Sequence, residues 1–143
     1  SERDALMAIL QHPTDVGAEL VERATRVRFV NATLSVVRDA VSASLDHVEA
    51  DGWLQHVSDQ VPAPFATLVQ QLGVAPIPQR PDLLAQYCRG VVTSLIDRDL
   101  LREKAEVVGA MQRARSEGDD ARWGELSRQS VALEAERRKL RNE

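Results

Sequence analysis

The sequence of 143 residues predicts an all-α protein, a helical bundle of short helices with a long helix leading into a protruding C-terminal antiparallel helical hairpin. Three observations predict this class. Apolar residues recur at spacings of three and four, which is typical of helices. Prolines and glycines divide residues 1–81 into short segments, whereas no proline follows Pro81. Only residues 25–30 alternate polar and apolar side chains, and a lone strand has nothing to pair with.

Five short helices are expected before residue 74. Their ranges are about 1–11, 15–24, 31–45, 52–60 and 62–72. Asn31 and Asp51 are good N-caps for the third and fourth helices, and Gly73 is placed to end the fifth. We expect residues 25–30 to form an extended linker with Phe29 in the core.

A long helix of about residues 82–117 is expected to start with Pro81 in its first turn, where the missing N–H costs nothing. Its first half carries apolar doublets spaced by four, a wide apolar face that is typical of the central helix of a bundle. These are Leu83, Leu84, Tyr87, Cys88, Val91, Val92, Leu95 and Ile96. Its second half carries a narrower seam: Leu100, Leu101, Ala105, Val108 and Met111.

A helical hairpin is expected at the C-terminal end. Gly118 followed by Asp119 indicates that one helix stops and another starts. The last helix is expected from about residue 120 to 141, with Leu126, Leu133 and Leu140 spaced by seven residues as in a heptad. We therefore divide the chain into a bundle of residues 1–97 and a hairpin of residues 98–143, with the long helix shared between them.

Composition narrows the classes of function. There are 18 basic and 22 acidic residues, a net charge of −4, which argues against nucleic-acid binding through clustered positive charge. A helix-turn-helix around residues 52–72 is disfavoured because no Lys or Arg lies between Gly52 and Gln79. The single cysteine excludes an internal disulfide or a cysteine-rich zinc site. Without a signal peptide or an 18-residue apolar run, a cytoplasmic protein with no membrane contact is expected.

No catalytic, cofactor or metal site is predicted. The sequence lacks a Gly-rich phosphate loop, an HExxH pair and a CxxC pair. His12, His47 and His56 are expected to be solvated surface residues, since they lie in turns or on polar faces. Cys88 is expected to be a small buried apolar residue rather than a nucleophile.

Trp123, near the tip of the hairpin, is the most informative candidate for binding. Two interpretations stay open: an interface anchor, as tryptophan often is, or a seal that folds back over Met111 or Ala114. The candidate partner-binding residues are Trp123, Arg113, Arg115, Arg122 and Leu126. An alternative docking surface is the set of bundle carboxylates Asp15, Glu19, Glu22, Asp46, Glu49 and Asp51, whose ordinary role would be solubility.

Three segments carry a resemblance to a known family: ERDALMAILQHP at 2–13, LIDRDLLREKAEVVGAMQRARSEGD at 95–119 and LSRQSVALEAERRKLR at 126–141. They resemble the C-terminal helicase-binding domain of bacterial DNA primase. The resemblance implies a non-catalytic domain that docks on the N-terminal domains of the hexameric replicative helicase, recruits primase to the fork and modulates the helicase, with the hairpin as the main contact. It implies a place in the replisome, at the nucleoid. The single-stranded-DNA-binding protein is a further candidate partner, and direct nucleic-acid binding is not expected.

Other classes stay open. The N-terminal domain of the replicative helicase shares a bundle-plus-hairpin design, and the last helix could instead pair between chains as a coiled-coil scaffold. The start at Ser1 without a methionine indicates a piece of a longer chain, and the end after LRNE favours a C-terminal location. The longer parent would be an RNA-primer-synthesising primase. Arginine outnumbers lysine 16 to 2, which is typical of a GC-rich genome.

Overall fold

A computed structural model describes residues 1–142, and this range is helical without any strand, so the all-α prediction is confirmed. The helices are α1 (Glu2–Gln11), α2 (Pro13–Val16), α3 (Ala18–Thr25), α4 (Ala32–Ser42), α5 (Trp53–Gln60), α6 (Ala66–Val74), α7 (Leu84–Ser116) and α8 (Asp120–Arg141). Short 3-10 turns at Leu45–His47 and Ala63–Phe65 precede α5 and α6.

The chain forms two compact units. The bundle unit is Ser1–Ile96 and the hairpin unit begins at Asp97. Helix α7 starts in the bundle unit and ends in the hairpin unit, and it begins at Leu84 rather than near residue 82. The reason is a turn before it, in which the Leu83 N–H donates to the Arg80 carbonyl oxygen at 3.0 Å.

Helix α1 is the central helix of the bundle unit. Its six consecutive residues Ala5–Leu10 are at most 8% exposed, and α4, α5 and α6 all pack against it. A helix that is apolar on every side belongs in a core. The Trp53 Nε1 donates to the Ile9 carbonyl oxygen at 3.1 Å, and the Gln11 side chain donates to the carbonyl oxygens of Leu72 and Ala75. These contacts tie α1 to α5 and α6.

The expectation that the long helix is the central helix of the bundle is therefore wrong, because α1 holds that place. In the bundle half of α7, Cys88, Val92, Leu95 and Ile96 are buried. Beside them Leu84, Tyr87 and Val91 are half-buried. The predicted apolar face thus packs on one side of α7, and of its members only Leu83, just before the helix, is exposed, by 42%.

Segment boundaries in the first half differ from expectation where glycine or a side-chain hydrogen bond intervenes. Gly17, with φ of 93°, separates α2 from α3, which were expected as one helix. The α4 helix ends at Ser42 instead of near Leu45. Just beyond that end, the Ser44 hydroxyl donates to the Ala40 carbonyl oxygen and a 3-10 turn follows. Asn31 is the N-cap as predicted, accepting from the Leu34 N–H at 2.9 Å.

Two further expectations in this half are wrong. Phe29 is half-buried beneath the Arg38 guanidinium, 5.3 Å from the ring centroid, while Val27 takes the core position. The N-cap of α5 is Gly52, in the left-handed region, instead of the predicted Asp51.

Gly73 lies inside α6 instead of ending it. A Cβ at this position would come within 2.5 Å of the Leu54 methyl groups. Gly73 therefore allows α5 and α6 to pack closely, and α6 continues to Val74.

Candidate protein-binding surface

The tip of the hairpin is closed by hydrogen bonds that the sequence predicted. Gly118 has φ of 72°, a left-handed conformation that glycine adopts without strain. The Asp119 N–H donates to the Ala114 carbonyl oxygen at 2.9 Å, which ends α7. The Asp119 side chain then accepts from the Arg122 N–H at 3.0 Å and caps α8. The predicted stop and start at this point are confirmed.

The hairpin core is a narrow seam with a seven-residue repeat on both helices. Its buried members are Leu100, Val107 and Ala114 on α7, and Leu126, Leu133 and Leu140 on α8. The α8 positions match the predicted heptad. On α7 only Leu100 of the expected seam is buried. Because each residue turns a helix by about 100°, Leu101 and Val108 lie on the neighbouring face, and both are exposed.

Ion pairs join the two helices beside this seam. Arg137 Nε lies 3.0 Å from Asp97 Oδ1, and Lys104 Nζ lies 3.0 Å from Glu134 Oε2. Arg137 also donates to Glu134 at 2.9 Å. Hydrogen bonds from Lys104 and then Arg137 lower the pKa of the Glu134 carboxyl. These bonds link α8 to α7 along the edge of the apolar seam.

Trp123 is half-buried near the tip, and the Arg115 guanidinium carbon lies 5.0 Å from the centroid of its ring. A guanidinium over an indole face is a cation–π contact, which strengthens as water is removed. This stack joins the end of α7 to the start of α8. The ring is therefore positioned by its neighbour while part of its surface stays open.

The other candidate residues do not all share this surface. Arg113 and Arg122 are exposed, and Arg122 Nη1 lies 3.8 Å from Glu125 Oε2. Leu126 is only 4% exposed because it belongs to the seam, so its expected role as an accessible contact is corrected. No sequence pattern predicts the stack of Arg115 on Trp123, because the two residues lie eight positions apart across a turn.

The histidines and the cysteine lie in the bundle unit. His47 and His56 stack with ring centroids 3.7 Å apart, and the buried Nδ1 of His56 has no hydrogen-bond partner among the described residues. His47 is exposed, as expected, whereas His12 and His56 are half-buried, which corrects the expectation that all three histidines are solvated. Cys88 is fully buried, as predicted, and burial together with the charge of Asp15 raises the pKa of its thiol.

Residues 1–142 contain neither a metal-holding cluster nor a membrane-spanning helix. No group of three or more His, Cys, Asp or Glu side chains in this range is arranged to hold a metal ion. None of the helices described here is both long enough and apolar enough to span a bilayer. The acidic residues proposed as an alternative surface are all exposed: Asp15, Glu19, Glu22, Asp46, Glu49 and Asp51.

Comparison with known proteins adds a family context to this geometry. The helicase-binding domain of primase from Mycobacterium tuberculosis superimposes with a TM-score of 0.75 and 29% sequence identity, over 99% of this chain and 89% of that domain. The chain has the fold of the primase helicase-binding domain. The resemblance predicted from the sequence is thereby confirmed.

Sequence relatives agree with the structural one. The chain is 30% identical over 143 residues to the DNA primase of Mycobacterium leprae, and 33% identical over 150 residues to those of Mycobacterium bovis and Mycobacterium tuberculosis. Each alignment includes 97% of this chain but only 22% of the curated primase. No protein-family model matches the sequence.

Proposed function

We propose that this chain is the non-catalytic, helicase-docking part of a bacterial DNA primase. It would bind the N-terminal domains of the hexameric replicative helicase, recruit primase to the replication fork and modulate the helicase. The observation that carries this proposal is the match to the helicase-binding domain of Mycobacterium tuberculosis primase along almost the whole of both chains. The primase relatives favour this reading over the N-terminal domain of the helicase itself.

The hairpin tip is the part of the surface that best fits a docking contact. Trp123 offers an aromatic ring on which the Arg115 guanidinium stacks, and Arg113 and Arg122 are exposed on the same end of the hairpin. Buried tryptophan at the centre of an interface, with arginine around it, is a common source of binding energy. Arginine can also form two parallel hydrogen bonds with a carboxylate on the partner.

Titration calorimetry of the chain with the replicative helicase tests this proposal. Trp123→Ala is expected to weaken binding by about 1–3 kcal/mol, the loss typical of an interface anchor. Arg115→Ala is expected to weaken it less, because the ring remains but loses its support. Val131→Ala is the matched control, since Val131 lies on the same helix and is 65% exposed. If Trp123→Ala instead leaves the affinity unchanged and lowers the melting temperature, the ring stabilises the hairpin tip and does not contact the partner.

Other partners follow from the same proposal. We propose no direct nucleic-acid contact for this domain, in keeping with the absence of basic residues between Gly52 and Gln79. The single-stranded-DNA-binding protein remains a secondary candidate partner at the replisome. A coiled-coil scaffold built on Leu126, Leu133 and Leu140 is disfavoured, because all three are already buried within the hairpin.

A further inference from the structure

Helix α7 carries a second apolar row in the hairpin unit, beside the buried seam. Its members are Leu101, Ala105 and Val108, and all three are exposed, Leu101 by 43% and Val108 by 37%. Their spacing of four and then three residues is that of alternate core positions in a coiled coil. The row therefore has the pattern of a helix-packing face, and α8 covers the neighbouring face instead.

The row continues to the hairpin tip. The same spacing, four and then three, leads from Val108 through Gln112 to Arg115, so these residues share one face of α7. Arg115 is the residue whose guanidinium stacks on Trp123. From Leu101 to Arg115 the face is about 21 Å long, at 1.5 Å per residue. The apolar row and the Trp123 stack thus lie along one continuous strip of the hairpin.

Each end of this strip carries an arginine whose charge is not neutralised by a carboxylate among the described residues. Arg98 lies one turn before Leu101, and the described residues give neither Arg98 nor Arg115 an ion pair. By contrast, Arg102 and Lys104, which flank the row, are held by Asp99 and Glu134. A partner that covers the row would be favoured by carboxylates placed near Arg98 and Arg115.

We propose that this strip, Leu101–Ala105–Val108 continuing to Arg115 and Trp123, receives a single amphipathic helix of the docking partner. The partner helix has about four turns, apolar residues at heptad spacing and acidic residues near both ends. A helix fits because the row is narrow, straight and one heptad in period, which matches knobs-into-holes packing. This inference rests on the proposed function, and it adds the face of α7 that the partner covers and the chemistry of what covers it.

The test measures the affinity of the full chain for the replicative helicase by calorimetry, with variants in the row. The double variant Leu101→Asp/Val108→Asp is expected to lose at least tenfold in affinity, because it places two charges in the apolar strip. Arg98→Glu is expected to lose severalfold. Val131→Asp is the matched control: its side chain is more exposed, at 65%, and lies outside the row on α8, so its affinity should stay within twofold. Circular dichroism melts confirm that each variant keeps its helices.

A second measurement locates the partner without disturbing the row's charge. A photo-activated cross-linker at position 105 is expected to join a helix of the helicase, and one at position 131 is expected to give no such product. One outcome separates the two proposals: the wild-type chain binds and Trp123→Ala weakens binding, but the double variant binds like wild type and position 105 gives no cross-link. In that case the assignment of the strip as the docking face is wrong and the proposed function stands. If the wild-type chain does not bind the helicase, both are overturned.

Discussion

The bundle unit and the hairpin unit are stabilised by different means. In the bundle unit, residues 5–10 of α1 are buried on all sides, and hydrogen bonds to carbonyl oxygens, such as that from Trp53 to Ile9, link α1 to neighbouring helices. In the hairpin unit, a seam of one residue per heptad on each helix is supported by Asp97, Lys104, Glu134 and Arg137. The comparison teaches that a thick apolar core stabilises the first unit, whereas the second combines a narrow apolar seam with ion pairs and leaves an apolar row of α7 uncovered.

The largest effect is expected from a cavity in the bundle unit. Leu6 is 1% exposed in the middle of α1, so Leu6→Ala should lower the free energy of unfolding by about 2–5 kcal/mol. Urea denaturation followed by circular dichroism measures this loss. Val131→Ala, at an exposed site, should change stability by less than about 0.5 kcal/mol. A comparable small change for Leu6→Ala would contradict the central place of α1.

A cavity in the hairpin seam should have a smaller and more local effect. Leu133 is 7% exposed at the middle of the three α8 seam positions, and Leu133→Ala should cost about 2 kcal/mol, the low end for buried leucine. Hydrogen exchange should show faster exchange in α8 with unchanged protection in α1, because units with separate cores can open separately. An equal loss of protection in α1 would show instead that the two units unfold together.

The smallest expected effect is that of pH and salt on the stability of the hairpin unit. The pKa of Glu134 lies below its ordinary value of 4.5 in the folded hairpin, so its ion pairs stabilise the fold fully above that value. This contribution is lost as the pH falls through the lowered pKa, and salt weakens it at neutral pH. The protection factors of the α8 amides, which are corrected for the intrinsic exchange rate at each pH, should fall under both conditions.

Glu134→Gln serves as the control for this prediction. The variant should be less protected in α8 at neutral pH, and it should respond less to acid and to salt than the parent chain. Identical acid and salt responses in the two proteins would mean that these ion pairs do not stabilise α8.

The local features that the sequence predicts correctly have causes that lie within a few residues. Asn31 caps α4 and Gly118 with Asp119 closes the hairpin, since each of these needs only its own turn of backbone. The heptad of α8 was also predicted, because a single leucine in each heptad leaves one choice of face. By contrast, α7 places apolar residues side by side, as at Leu100 and Leu101, and periodicity cannot decide which of two adjacent faces a partner helix covers.

The sequence by itself determined the helical class, most caps and the hairpin, because backbone conformation and amphipathic spacing are local properties. Only the tertiary structure decided that α1 is central, that Gly73 makes room for Leu54 and that Arg115 covers Trp123. These depend on which surfaces meet after the chain has folded back on itself. The same contacts leave Leu101 and Val108 in solvent, because α8 fills the face next to them.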